Sequence, residues 1–237
     1  VSGSLTVLVT GDPVPNVERS RGSFTALIRE TLGRAWSGTL RVLDARRSEL
    51  PSENETSALV ITGSPESVTS RAGWILDAEH AISTLVQAGV PTLGICFGHQ
   101  LLGQALGGLV EVNPRGREMG TVELELVEDD PLLAGGRAPF TANMSHRDSV
   151  TRLPPGARVL AQSRLDPHAA VRFGERAWGV QFHPEFDGDV MRGYIAARRG
   201  ALEAEGIDPD VLPARDAPEA AEVLRAFARY VELETSG

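Results

Sequence analysis

Apolar residues in this chain first gather in short unbroken runs and then, past residue 110, alternate with polar ones. Leu5–Val9, Leu40–Leu43, Ala58–Thr62 and Pro91–Ile95 are runs of the first kind. Their length and near-continuous hydrophobicity predict strands covered on both faces. Between them, Phe24, Leu27, Ile28 and Leu32 recur at helical spacing, as do Trp74, Leu76, Ala78, Ala81, Ile82, Leu85 and Val86. Leu101, Leu102 and Ala105 begin a third helix. Gly89 and Gly107-Gly108 stand where helix-ending glycines belong. Gly11–Pro15 reads as a break and Ser48–Thr56 as a polar loop. Strands and helices that alternate in this way predict an α/β fold with a mainly parallel central sheet and helices on both faces.

The later half changes texture. Thr121–Val127 alternates with period two, as a half-exposed antiparallel strand does. Phe140–Met144, Val159–Ala161, Ala169–Phe173 and Ala177–Phe182 predict a small antiparallel meander. Gly174-Glu175 would be its last hairpin turn. Gly188–Glu205 and Pro218–Glu234 carry apolar stripes and predict helices. Residues 1–237 therefore read as one domain, with 187–237 as its C-terminal helical extension.

Composition narrows the function classes. The net charge of −9 disfavours nonspecific binding to nucleic acid or an anionic membrane. All 23 basic residues are arginine, which excludes a Schiff-base lysine and the lysine of a phosphate-binding loop. A single cysteine forms no internal disulfide, and no apolar run reaches the ~18 residues of a membrane span. The N-terminus enters a strand pattern without a basic leader, so the cytoplasm is the expected compartment.

The candidate chemistry centres on Thr92-Leu-Gly-Ile-Cys-Phe-Gly-His-Gln-Leu-Leu102. A lone cysteine in an apolar run is ordinarily a small buried hydrophobe. Here Gly94 and Gly98 flank Cys96 at two residues on either side, between a strand and a helix. That is the arrangement of a nucleophile on a tight turn. The glycines avoid collisions with adjacent strands, and the first amides of the helix favour thiolate.

A thiol nucleophile needs a base, and the base an orienting group. In Val180-Gln-Phe-His-Pro-Glu185, His183 and Glu185 are two apart, which on a strand puts both on one side. Gly63, after the Ala58–Thr62 strand, offers a backbone amide for a developing oxyanion. His80 and His168 read as surface and loop residues, and His99 as structural. His146, Asp148, His183 and Glu185 match no zinc spacing, so neither a metal nor another cofactor is expected.

Gly94-Ile-Cys-Phe-Gly-His-Gln100 with Gly179-Val-Gln-Phe-His-Pro-Glu185 resembles the class I glutamine amidotransferases, whose fold is flavodoxin-like. Met144-Ser-His-Arg-Asp-Ser-Val150 is similar to a segment of their guanylate-synthase glutaminase subgroup. The resemblance implies a Cys96–His183–Glu185 triad and an oxyanion hole made by the amides of Gly63 and Phe97. It also implies glutamine contacts from Gln100, Ser145 and His146. The implied activity is hydrolysis of the glutamine side-chain amide through a γ-glutamyl thioester, with ammonia passed to a synthetase partner. Arg147 stands where that subgroup has glycine, which leaves open a γ-glutamyl peptide or conjugate as substrate. A catalytically silent regulatory module is the third reading. After Glu185 there is no glycine-rich pyrophosphatase loop, so the chain is not expected to consume ATP by itself.

Overall fold

The structure, a computed structural model, describes residues 4–133 and 139–236. Its strands are β1 (Ser4–Val9), β2 (Thr39–Asp44), β3 (Leu59–Ile61), β4 (Thr92–Ile95), β5 (Leu109–Val112), β6 (Glu118–Leu126), β7 (Phe140–His146), β8 (Asp148–Arg152), β9 (Arg158–Gln162), β10 (Ala170–Gly174) and β11 (Ala177–Val180). Its helices are α1 (Pro15–Arg21), α2 (Phe24–Leu32), α3 (Gly73–Gln87), α4 (Phe97–Ala105), α5 (Gly188–Ala204) and α6 (Pro218–Ser236).

Nine strands form one sheet among the described residues, in the order β2-β1-β3-β4-β11-β10-β9-β6-β7. The pairs from β2 to β11 are all parallel, and those from β11 to β7 are antiparallel. The expected parallel core is therefore present, and the meander continues it in the same sheet. Strands β3, β4 and β11 are buried throughout, as their unbroken apolar runs require.

Helices cover both faces. On one, Ile28 and Leu32 of α2 and Val223, Leu224 and Phe227 of α6 join Leu5, Val7 and Val60 in a core cluster. The Trp178 indole meets the Phe227 ring edge-on. On the other face, Ile75, Ala78, Ile82 and Leu85 of α3 pack with Leu101 and Leu102 of α4. A third cluster joins Val17 of α1 to Val190, Met191 and Tyr194 of α5.

Four local readings change. Helix α1 follows the Gly11–Pro15 break; only Val17 of its seven residues is buried, so it shows no apolar period. Strands β5 and β8 form a separate two-stranded ribbon, which the sequence pattern did not predict. Gly174 pairs with Ala177, so the last hairpin turn is Glu175-Arg176, one residue later than expected. Finally, β11 stops at Val180, and His183 and Glu185 lie beyond it in a turn closed by the Phe186 N–H on the His183 carbonyl (3.2 Å). Strand alternation is thus not what brings that pair together.

Candidate active site

Cys96 ends β4 and caps α4 with φ +51° and ψ −104°, a backbone state that side chains other than glycine rarely adopt. Holding it there costs about 1–3 kcal/mol, which the surrounding packing must offset. The packing is tight. A Cβ on Gly94 would stand 2.4 Å from the Gly98 carbonyl oxygen, and one on Gly98 would stand 2.4 Å from that of Ile61. The Cys96 amide donates to the Val180 carbonyl (2.8 Å), fixing the turn to β11 as well. The sulfur is then presented where the parallel strands end, as open α/β sheets place their reactive groups.

Nδ1 of His183 lies 2.8 Å from Oε1 of Glu185, and the ring is close enough to Cys96 for the sulfur's charge to act on it. All three side chains are buried. The Phe186 ring stacks on the imidazole with centroids 3.9 Å apart and planes 8° apart. Phe24 lies parallel to the imidazole at 6.2 Å. These contacts leave the ring little freedom to rotate. Burial opposes the imidazolium, but the charges of Glu185 and Cys96 outweigh it and hold His183 up at about 10. Phe186 and Tyr194, which packs on Phe186 at 4.6 Å, were not expected at the site from sequence, where Tyr194 reads only as part of a helix's apolar stripe. Phe186, directly after Glu185, was the available signal.

Gly63 follows β3 with its Cα against the imidazole: an added Cβ would come 2.9 Å from Cε1 of His183. Among the described residues, neither the Gly63 amide nor the Phe97 amide donates to a backbone or side-chain acceptor. Two uncommitted donors beside a thiol are what a developing oxyanion requires.

The other expected contacts divide. Cys96, Gln100, Ser145, His146 and Arg147 all line one cavity of about 780 Å³. Gln100 donates its side-chain amide to the Asp148 carbonyl (2.7 Å) and to Oε1 of Gln181 (3.0 Å). The Ser145 carbonyl lies 4.0 Å from the Cys96 sulfur. His146 has both ring nitrogens engaged, Nδ1 with the Asp148 carbonyl (3.0 Å) and Nε2 with Oε2 of Glu118 (3.2 Å). It braces the 145–148 segment and has no nitrogen left for a ligand. Burial works against its charge, yet the Glu118 hydrogen bond and the nearby Asp166 raise its pKa. His99 is buried under the sheet against Gly179 and Phe173; burial, then His168 and His146, lower it to about 3, so it is neutral. His80 is exposed on α3. No helix among the described residues is long and apolar enough to cross a membrane.

A buried thiol whose charge acts on an imidazole held by a carboxylate, beside free amides, is equipped for acyl transfer. The glutamine amidotransferase class-I family model matches residues 21–199. The chain is 36% identical over 176 residues to GMP synthase [glutamine-hydrolyzing] of Thermosipho africanus, covering 72% of this chain and 33% of that one. It is 44% identical over 129 residues to the enzyme of the same name from Thermus thermophilus, covering 54% of this chain and 24% of that one. The chain thus spans a third or less of these relatives' length. Two crystal structures share its fold. One is a glutamine amidotransferase from Thermotoga maritima (TM-score 0.69, 23% identity, 98% of this chain and 97% of that one). The other is a glutamine amidotransferase from Methylobacillus flagellatus (TM-score 0.73, 21% identity, 99% and 95%). The chain belongs to the class-I glutamine amidotransferases, enzymes that work through a cysteine nucleophile.

Proposed function

We propose that this protein hydrolyses the side-chain amide of glutamine to glutamate and ammonia, with Cys96, His183 and Glu185 as its triad. The observation that supports this most is the buried His183–Glu185 pair, whose ring also feels the charge of Cys96, with the unused amides of Gly63 and Phe97 beside it. The Cys96 thiolate attacks the carboxamide carbon, and the carbonyl oxygen gathers negative charge between the two amides. The His183 imidazolium gives its proton to the departing ammonia, leaving a γ-glutamyl thioester. Neutral His183 then takes a proton from water, which attacks the thioester and frees the thiol and glutamate. Glu185 holds the imidazole in place and stabilises its charge. Gln100 and the Ser145 segment shape the glutamine end of the cavity. The GMP synthase relatives favour a synthetase partner as acceptor of the ammonia. The test is ammonia release from glutamine by wild type and Cys96→Ala, with mass spectrometry for a Cys96 adduct after a diazo-ketone analogue of glutamine. Turnover that survives in Cys96→Ala rules the assignment out.

One observation favours a second reading. Arg147 is exposed at the cavity rim, and no carboxylate among the described residues forms an ion pair with it. A guanidinium there, near enough to Glu205 for its charge to act on that carboxyl but not ion-paired with it, suits a γ-glutamyl peptide whose leaving amine carries a carboxylate.

A further inference from the structure

Thr10, at the end of β1, takes no part in the mechanism above, yet it is fully buried and its hydroxyl reaches the Gly63 turn. Its Oγ1 lies 3.0 Å from the Thr62 carbonyl oxygen and 3.0 Å from the Gly63 carbonyl oxygen. Thr62 is also fully buried; its Oγ1 accepts the Thr10 amide (3.1 Å) and lies 3.0 Å from the Gly63 carbonyl oxygen. Each hydroxyl has one proton to give. The two hydroxyl oxygens lie 3.2 Å apart. When Thr62 gives its proton to the Gly63 carbonyl and its oxygen accepts the Thr10 amide, the Thr10 proton turns to the Thr62 carbonyl, the nearer acceptor left. Ser64 adds a tie in the other direction, donating its hydroxyl to the Thr10 carbonyl (2.8 Å).

The Thr62 carbonyl matters because of what shares its peptide plane. In a trans peptide the N–H lies opposite the C=O, so fixing the Thr62 carbonyl fixes the direction of the Gly63 N–H. That carbonyl has a second donor, the Gly98 amide at 3.1 Å, in the first turn of α4. Phe97, whose amide is the other free donor, immediately precedes Gly98. One carbonyl oxygen thus ties the Gly63 peptide to the helix start that carries the second donor. Donors of this kind act through placement made before the reaction, so a loosened peptide plane loses transition-state stabilisation without losing substrate.

We infer that Thr10 is a positioning residue: its buried hydroxyl, with the Gly98 amide, locks the Thr62–Gly63 peptide and so aims the oxyanion donor. This rests on the reading of Cys96 as a nucleophile that is acylated by a γ-glutamyl carbonyl. Replacing Thr10 by valine keeps the shape and removes the hydroxyl; replacing it by serine keeps the hydroxyl.

The experiment compares wild type, Thr10→Val and Thr10→Ser in steady-state glutamine hydrolysis, in acylation by γ-glutamyl p-nitroanilide and in alkylation of Cys96 by iodoacetamide. Thermal unfolding of each protein is followed in parallel. Thr10→Val is expected to lower kcat and the acylation rate about ten-fold, with KM within about two-fold. Its alkylation rate stays at the wild-type value, because displacement of iodide develops no oxyanion. Thr10→Ser restores most of kcat. The inference is overturned if Thr10→Val keeps wild-type kcat, or if alkylation falls as far as acylation, which would mean a displaced thiol. It is overturned equally if Thr10→Ser is as slow as Thr10→Val at unchanged unfolding temperature. Failure of the parent reading looks different: wild type itself would release neither ammonia nor p-nitroaniline, although its thiol alkylates.

Discussion

Nδ1 of His183 and Oε1 of Glu185 stand 2.8 Å apart in a buried turn, and this contact helps keep the imidazole charged. Against burial, Glu185 and Cys96 raise the ring to about 10. In the mechanism proposed above the imidazolium is the acid for the leaving ammonia, so activity is expected to fall as pH rises through that value. Glu185→Gln removes the leading support for the charge. Its alkaline limb in kcat/KM is expected at lower pH than in wild type, with kcat reduced at neutral pH. A pH–rate profile of both proteins checks this; an unmoved limb would separate Glu185 from the proton transfer.

The strained backbone of Cys96 predicts an inverted order of stability between two inactive variants. Ala retains a Cβ at φ +51°, whereas Gly does not. Cys96→Gly is therefore expected to be more stable than Cys96→Ala by about 1 kcal/mol in urea unfolding. At an unstrained position glycine would be the less stable of the two.

Gly98→Ala places a Cβ 2.4 Å from the Ile61 carbonyl oxygen, against backbone that has no rotamer to change. The expected cost is about 2 kcal/mol or more, with glutaminase activity lost even where the protein remains folded. Denaturant midpoint and turnover together measure it.

His146 is buried between Glu118 and the Asp148 carbonyl with its pKa raised, so its charged form stabilises the fold. A raised pKa contributes fully below the unfolded value, near 6.5, and is lost as pH climbs through the folded value. The stability gap between wild type and His146→Gln should therefore be widest below the unfolded value, near 6.5, and shrink as pH climbs through the folded value. Chemical unfolding across that range reads it directly.

Arg147 distinguishes the two substrate readings. If its guanidinium receives a carboxylate on the leaving amine, Arg147→Gly lowers kcat/KM for γ-glutamyl-glutamate about ten-fold relative to glutamine. An unchanged ratio removes the second reading.

The turn around Cys96 was legible because its requirements are local. A strand, two glycines at fixed offsets and a helix are consecutive residues; Gly98 meets the Ile61 backbone of the adjacent strand as expected, whereas Gly94 meets not a strand but Gly98 and His99 of the helix that follows. The helices with clear apolar stripes were legible for the same reason. The β5–β8 ribbon was not, since Val112 and Asp148 pair across a long stretch of chain and neither strand has a strong period of its own. His146 shows the limit at the site: its sequence neighbours suggested a ligand contact, but Glu118, from another strand, claims the nitrogen it would need.

Sequence alone therefore determined the family, the tight turn that carries Cys96 and the parallel core, because each is written in contiguous residues whose sterics and hydrophobicity act over a few positions. Tertiary structure decided how Glu185 reaches His183, which nitrogens are already taken, and how Thr10, Thr62 and Gly98 share one peptide carbonyl. Those are matters of hydrogen-bond direction between segments far apart in the chain, and direction is set only when the sheet brings their backbones together.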